Sequence, residues 1–222
     1  MMKPFILFGA GQFADYVQCI LEEALGEKVA AFTVNGQYMD QNADQKNSLP
    51  LVPFEHVADD YPPEQYCMAL AFLGGEMFAA REKVFWECRR MGYELPNIIH
   101  PSVINHSQKM GVGNIVGAAT VFEPFCCIGD ANVFFDISLI PHNGKAGSFN
   151  LFSTNITPCG NSVIGNHCFI GAGSIIGNYV KLADYTLVGA GANVMKDTNP
   201  YDVVVPARSV ILEGKKSTDF KV

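Results

Sequence analysis

The sequence predicts a two-part chain: a small Rossmann-like parallel α/β domain, then an all-β parallel solenoid. Three observations carry that prediction. Short apolar runs alternate with amphipathic segments over the first ninety or so residues. A glycine-rich turn, Gly9-Ala10-Gly11, separates the first such run from the first helical pattern. From Ile98 onward the periodicity changes, and a bulky apolar residue recurs at every sixth position.

In the first part, Phe5–Phe8 reads as a buried strand running into Gly9–Ala14. Phe13, Tyr16, Val17, Ile20, Leu21 and Leu25 then fall on one helical face. Residues 28–34 form a second strand pattern, and residues 38–48 are polar and turn-rich, which predicts a loop. Residues 66–73 read as a further buried strand that ends at Gly74-Gly75, and residues 76–91 as a helix. Strand, helix and strand in that order around a glycine turn imply a parallel sheet.

In the second part, steps of six from Ile98 pass through Ile104, Met110, Val116, Phe122, Ile128, Phe134 and Ile140. They continue through Phe152, Ile164, Ile170, Ile176, Leu182 and Val188 to Val194. Only Ala146 and Pro158 depart from bulky apolar character, and the register is expected to run without a slip. An α-helix cannot keep a six-residue period on one face. In a parallel β-solenoid each hexad is a short strand plus a corner, with the large residue inward and glycines easing the corners. The expected division is residues 1–96 and 97–222.

Composition limits the function. Of 222 residues, 49% are hydrophobic and 17% charged, which fits a folded domain. The formal net charge of −7 argues against a general nucleic-acid binder, because a phosphate backbone is met by a basic surface. No apolar run approaches the roughly 20 residues that span a bilayer, and the start lacks a signal-peptide cleavage pattern. The seven cysteines contain no C-x-x-C pair. Their scatter suits buried thiols, and a cytoplasmic location is expected.

Residues 97–103, 161–198 and 206–209, joined to the N-terminal Gly9–Ala14 turn, resemble the hexapeptide-repeat acyltransferases. The branch indicated acetylates bacterial sugars: sialic acid O-acetyltransferase-like proteins and N-acetyltransferases of nucleotide-linked 4-amino sugars, as in the bacillosamine pathway. The resemblance implies a left-handed β-helix with three hexads per coil. It also implies a homotrimer with active sites between subunits, acetyl-coenzyme A as co-substrate, and neither a metal nor NAD.

With three hexads per coil, residues eighteen apart stack at the strand spacing of about 4.8 Å. His142 sits just past an inward position, in a stretch where Pro141, His142, Asn143 and Lys145 replace the usual residue types. Gly160 lies eighteen residues on. A base and a bare backbone N–H on one edge suit acyl transfer, in which an acceptor loses a proton while charge grows on the thioester oxygen. The resemblance gives His142 the role of general base and Gly160 that of oxyanion donor. It also expects an acid after the histidine, where this chain has Asn143. A second histidine is common nine residues on, where Leu151 stands beside Asn150. A solvated turn histidine is the plain alternative for His142. His106, thirty-six residues earlier, is expected on the same edge as surface, and His100 and His167 on other faces as structural residues.

Gly9, Ala10, Gly11, Gln12 and Phe13 follow a strand and open a helix, the setting of a phosphate cradle. A dinucleotide cofactor calls for an acid at the end of the second strand. Thr33, Val34 and Asn35 stand there instead, so a nucleotide-sugar site is expected. Asn150, Ala172, Ala190, Lys196 and Arg208 are carried over as coenzyme A contacts, with the two cations for its phosphates. The leading reading is N-acetylation of a nucleotide-linked amino sugar, with sugar O-acetylation as the alternative. A metal-dependent carbonic anhydrase would need three converging histidines. A non-catalytic trimeric scaffold would leave the pairing of His142 with Gly160 without a purpose.

Overall fold

The structure is a computed structural model. It describes residues 3–39, 45–207, 209, 211, 213, 214, 216 and 218. Five strands and three helices form the α/β unit. They are β1 (Phe5–Phe8), α1 (Gln12–Cys19), β2 (Val29–Val34), β3 (Gln45–Lys46), β4 (Leu49–Pro53), α2 (Val57–Asp60), β5 (Cys67–Leu70) and α3 (Ala79–Arg90). The sheet order is β3-β4-β2-β1-β5, parallel except for the β3–β4 pair. Chain direction across the sheet reverses between β1 and β5. Open α/β sheets bind ligands at such a switch point, beyond the carboxyl ends of the strands.

Local features depart from the sequence reading, among them the start of α3, since residues 76–78 are left-handed and the helix begins at Ala79. Residues expected as loop include β3, which pairs with β4; residues 40–44 lie outside the described residues. Strand β4 was hidden by Pro50 and Pro53, which interrupt an apolar run and suit a strand near a sheet edge. The face of α1 continues into a π-turn, Ile20–Ala24, closed by Leu25 N–H donating to Ile20 O at 3.0 Å.

From Ile98 the chain winds into a parallel β-helix of two-residue strands, three per coil. The pairing register is eighteen residues through most of it, as in Cys127 with Lys145 and Phe134 with Phe152. Within the residues 98–194 expected to be in register it slips once, contrary to expectation, and beyond them Leu187 pairs with Val203 at a spacing of sixteen. Ile98 pairs with Ile115, and Ile99 with Val116, a spacing of seventeen. The hexad between Asn105 and Met110 is one residue short, so Ile99 rather than Ile98 packs against the solenoid core. Ile98 is instead buried in the α/β core, and Ile104 is 53% exposed. The same slip moves His106 off the column of His142: it follows Asn105 as Glu123 follows Phe122, one position before Pro124.

The inward residues form one continuous core. Phe134 and Phe152 stack with centroids 4.4 Å apart, and Phe122 meets Phe134 edge-on at 5.0 Å. A second ladder runs inside one corner. Asn97, Asn114, Asn132 and Asn150 each accept, through Oδ1, the backbone N–H one coil on; the distances from Asn114, Asn132, Asn150 and Cys168 N are 2.9, 2.9, 2.9 and 2.7 Å. The asparagine Nδ2 groups of 114, 132 and 150 donate to Gly129, Gly147 and Gly165 carbonyls. Cys126 and Cys168 are buried thiols pushed up to about 11, burial being the main cause.

One flat face of the coil is covered by the α/β unit. Ile115 joins the core of β1, β2 and α1, while Val133 and Leu151 pack with Phe85, Tyr93 and Leu95. Burial of each such side chain contributes about 1.5–3 kcal/mol. Polar contacts cross the seam as well, among them those of Tyr16 and Arg81. Tyr16 Oη donates to Asp136 Oδ1 at 2.8 Å, and burial with that carboxylate raises the phenol well above its ordinary range. Arg81, 1% exposed, donates from Nε to Ala131 O at 2.9 Å and from Nη1 to Leu70 O at 2.8 Å and to Phe72 O. Its guanidinium is pushed down to about 9 by burial alone.

Asn132→Ala removes the acceptor for Asn150 N–H and the donor to Gly147 O. Urea unfolding is expected to show a loss of about 2–4 kcal/mol from the orphaned buried groups. Thr157→Ala on the open face should stay within about 0.5 kcal/mol.

Candidate active site

Each coil is a triangle with three corners. His142 lies at the corner opposite the face that the α/β unit covers. Its column reads Pro124, His142, Gly160, Asn178, Lys196, each eighteen residues from the next. Asn143, the corner residue after the histidine, takes φ 55°, the left-handed region that asparagine tolerates best among side-chain-bearing residues.

The ring of His142 lies directly over Gly160. An ideal Cβ on residue 160 would stand 2.7 Å from His142 Nε2 and 2.8 Å from Cε1. Only glycine leaves that space. The backbone N–H of His142 donates to Glu123 Oε2 at 2.7 Å, so the preceding coil fixes the main chain beneath the ring. Asn143 Nδ2 lies 3.3 Å from His142 Nδ1.

The proline before the histidine also has a structural consequence. Glu123 N–H donates to Ile140 O at 2.9 Å and Cys159 N–H to Ile176 O at 2.8 Å, each one coil on. The equivalent donor between those two rungs would be residue 141, and proline has no N–H. The sheet of this face breaks there, between 139–140 and 157–158. At one of the other corners the matching backbone N–H groups of Val112, Asp130, Ser148 and Asn166 are capped by side chains one coil on, and at the other that of Ala118 is. Ala118 N–H meets Asp136 Oδ1 at 2.7 Å, and Ser148 N–H meets Asn166 Oδ1 at 2.8 Å. At the His142 corner no described residue accepts the N–H of Gly160.

Ala172 and Ala190 are exposed on the neighbouring corner, and Gly191 N–H donates to Ala172 O at 2.8 Å. Between them and the His142 column runs an open face with Thr157, Ile175 and Asn193 outward. Lys196 is exposed at its far margin beside a cavity of about 350 Å³ that Asp197 and Asp202 also line. Ala172, Ala190 and Lys196 therefore border one surface. Asn150 does not. It is 1% exposed, and both ends of its amide are spent in the interior ladder, which corrects its assignment as a coenzyme contact. Arg208 lies outside the described residues.

In the α/β unit a cavity of about 470 Å³ opens at the carboxyl ends of β1, β2 and β5. Gly9 and Ala10 line it. Gly9 has φ 130°, and a Cβ there would run into Ala71 O, so close packing of β1 on β5 requires glycine. Gly11 is the N-cap of α1 without a side-chain cap, and Gln12 opens that helix. Phe13 turns its ring to Tyr16 and Phe135, at 5.9 and 5.7 Å, so only its backbone faces the helix end. Further lining comes from Asn35, Tyr38, Gly74, Gly75 and Lys83. The adjoining cavity of about 530 Å³ shares Asn35, Lys83 and Glu87 and adds Arg90. Sequence reading alone does not bring these residues to the cavity. The Gly74-Gly75 pair after a buried strand was the available signal, since it repeats the strand–glycine–helix arrangement of the first turn. Among the described residues no three of His, Cys, Asp and Glu converge as a metal site, and no helix is long and apolar enough to cross a membrane.

Gly160→Ala is expected to swing the imidazole off the column while the urea midpoint stays within about 1 kcal/mol, because the ring has open solvent to move into. A crystal structure of the variant checks this, and an unmoved ring would contradict the packing.

Residues 161–196 match the family model described as bacterial transferase hexapeptide (six repeats). Among solved structures, the chain is similar to PerB from Caulobacter crescentus in complex with CoA and GDP-perosamine. The TM-score is 0.81 and identity 22%, covering 93% of this chain and 95% of that one. It is similar to the acetyltransferase domain of PglB from Neisseria gonorrhoeae in complex with acetyl coenzyme A, at TM-score 0.80 and 22% identity, covering 93% and 97%. WeeI from Acinetobacter baumannii superimposes at TM-score 0.66 and 17% identity, covering 92% and 97%. The chain thus has the fold of these proteins, a Rossmann-like α/β unit on a left-handed hexapeptide β-helix.

Proposed function

We propose that the protein is an acetyl-coenzyme A-dependent N-acetyltransferase of a nucleotide-linked amino sugar. The observation that carries the proposal is the His142 column: an imidazole nitrogen held over a glycine whose N–H has no acceptor among the described residues. In this reading the sugar amine attacks the thioester carbonyl carbon. His142 Nε2 takes the amine proton, and Gly160 N–H donates to the oxygen that gains charge. The C–S bond then breaks, and the imidazolium returns a proton to the departing thiolate. A positioned donor of this kind contributes roughly 3 kcal/mol.

Asn143 fills the place of an acid. Its Nδ2 faces Nδ1; turning the amide over puts its oxygen there instead, so that the Nδ1 hydrogen is held and the Nε2 lone pair is free to take a proton. Acetyl-coenzyme A lies along the open face bordered by Ala172, Ala190 and Lys196. The nucleotide occupies the α/β cavity, where the ends of α1 and α3, Lys83 and Arg90 offer positive partners to phosphates. The fold-related proteins with CoA and GDP-perosamine or acetyl coenzyme A support this division of labour.

The two half-sites stand on different sides of the solenoid, since the α/β unit packs on the face opposite the His142 corner. A sugar anchored in one protomer is therefore served by the His142 of a neighbour, which fits a homotrimer acting in the cytoplasm. An O-acetyltransferase is the second reading. The amide at Asn143, which leaves the imidazolium without a countercharge from that side chain, is the observation that favours it.

The test is thiol release from acetyl-coenzyme A against a panel of nucleotide 4-amino sugars and their hydroxy analogues. His142→Ala is expected to lower turnover by at least roughly a hundredfold. Unchanged turnover would reject His142 as the base, and transfer only to hydroxy acceptors would reject N-acetylation.

A further inference from the structure

A hydrogen-bonded chain links the solenoid to the nucleotide cavity through a residue the mechanism does not use. His167 is 4% exposed and lies in an aromatic stack at the third corner. Its ring sits between Phe149 and Tyr185, with centroids 5.2 and 4.7 Å away and planes 21° and 4° apart. The ring therefore cannot turn freely. Its Nδ1 lies 3.0 Å from Met77 O. A carbonyl only accepts, so Nδ1 carries hydrogen. Its Nε2 lies 3.1 Å from Glu82 Oε2, and Glu82 Oε1 accepts from Trp86 Nε1 at 3.3 Å.

Met77 is the centre of an unusual segment. Glu76, Met77 and Phe78 have φ values of 47°, 50° and 67°, three successive left-handed residues without a glycine. Such a run persists only where its surroundings hold it. Two anchors are present: the Phe78 ring, 7% exposed in the core, and the Met77 carbonyl bound to His167. The segment joins Gly74 and Gly75, which line the cavity at the end of β5, to α3, whose Ala80 and Lys83 line it too. Gly74, at φ 80°, can adopt other conformations readily if one anchor is lost.

We propose that His167 is a positioning residue for nucleotide binding: from the solenoid it locks residues 74–78 in the form that receives the nucleoside diphosphate of the substrate. This rests on the reading of the α/β cavity as the nucleotide site. Without the Met77 bond, the binding-competent loop is populated for a smaller fraction of the time, and apparent affinity falls by that fraction. The acetyl-coenzyme A surface and the His142 column lie on other corners and are left as they were.

Two variants separate this role from packing. His167→Phe keeps the stack and removes both hydrogen bonds. His167→Asn can place an amide N–H near the Nδ1 position. Binding of UDP and GDP is measured by calorimetry on the full chain, beside KM and kcat for both substrates. The expected result is diphosphate affinity at least about fivefold weaker in His167→Phe, with KM for the nucleotide sugar raised in parallel. The KM for acetyl-coenzyme A and kcat at saturation stay unchanged, and His167→Asn recovers most of the affinity. Equal affinity in His167→Phe and the parent would overturn the proposal. So would an Asn variant as weak as the Phe variant, or a fall in both substrates' parameters together with thermal stability. A parent protein that binds neither UDP nor GDP would overturn the nucleotide reading of the cavity and this proposal with it.

Discussion

Coil-to-coil pairing at eighteen residues sets where every other group of the solenoid stands. Each rung places a backbone N–H and a side chain at a fixed height on each of three corners. Chemistry is then a matter of which residue types occupy one column. At one corner the backbone donors of Val112, Asp130, Ser148 and Asn166 are consumed by Asp, Ser and Asn side chains from the next coil, which stabilises the coil; at a second, Ala118 N–H is capped in the same way. At the third, Pro141 breaks the ladder and Gly160 removes the Cβ that would displace the histidine. The same rule that builds the scaffold, suspended for one rung, builds the site.

The α/β unit contributes through its placement as much as through its cavity. Its apolar face covers one side of the triangle, and Tyr16 and Arg81 fix it there through groups on Asp136 and Ala131. That leaves the opposite corner and its flanking face open. The arrangement separates the proposed nucleotide cavity from the imidazole within one chain, so the geometry of neighbouring protomers becomes part of the proposed catalysis.

The hexad period made the solenoid legible, because a six-residue repeat of large apolar residues has few other physical solutions. Joined to the three hexads per coil that the family resemblance implies, it also placed His142 over Gly160. The slip at Asn105–Met110 was hidden because Ile98 and Ile104 are as apolar as true inward residues; the competition of the α/β core for Ile98 decides between them. Asn150 was misread for a related reason. Its recurrence with Asn132 and Asn114 at eighteen-residue steps is visible, but an asparagine beside a catalytic stretch invites a ligand role, and only the inward direction of the side chain reveals the ladder. The cavity residues Lys83 and Tyr38 could not be found from periodicity, because tertiary contact between separate loops brings them together.

Catalysis shared between protomers is open to subunit complementation. Ala10→Trp fills the nucleotide cavity, and His142→Ala removes the base. Each variant alone is expected to be inactive. Co-assembled from the two chains, mixed oligomers should regain a substantial part of the parent's turnover, because some interfaces then pair an intact cavity with an intact imidazole. A mixture as inactive as either variant, with mixed assembly verified by mass, would mean that both half-sites must belong to one chain, and the account would fail.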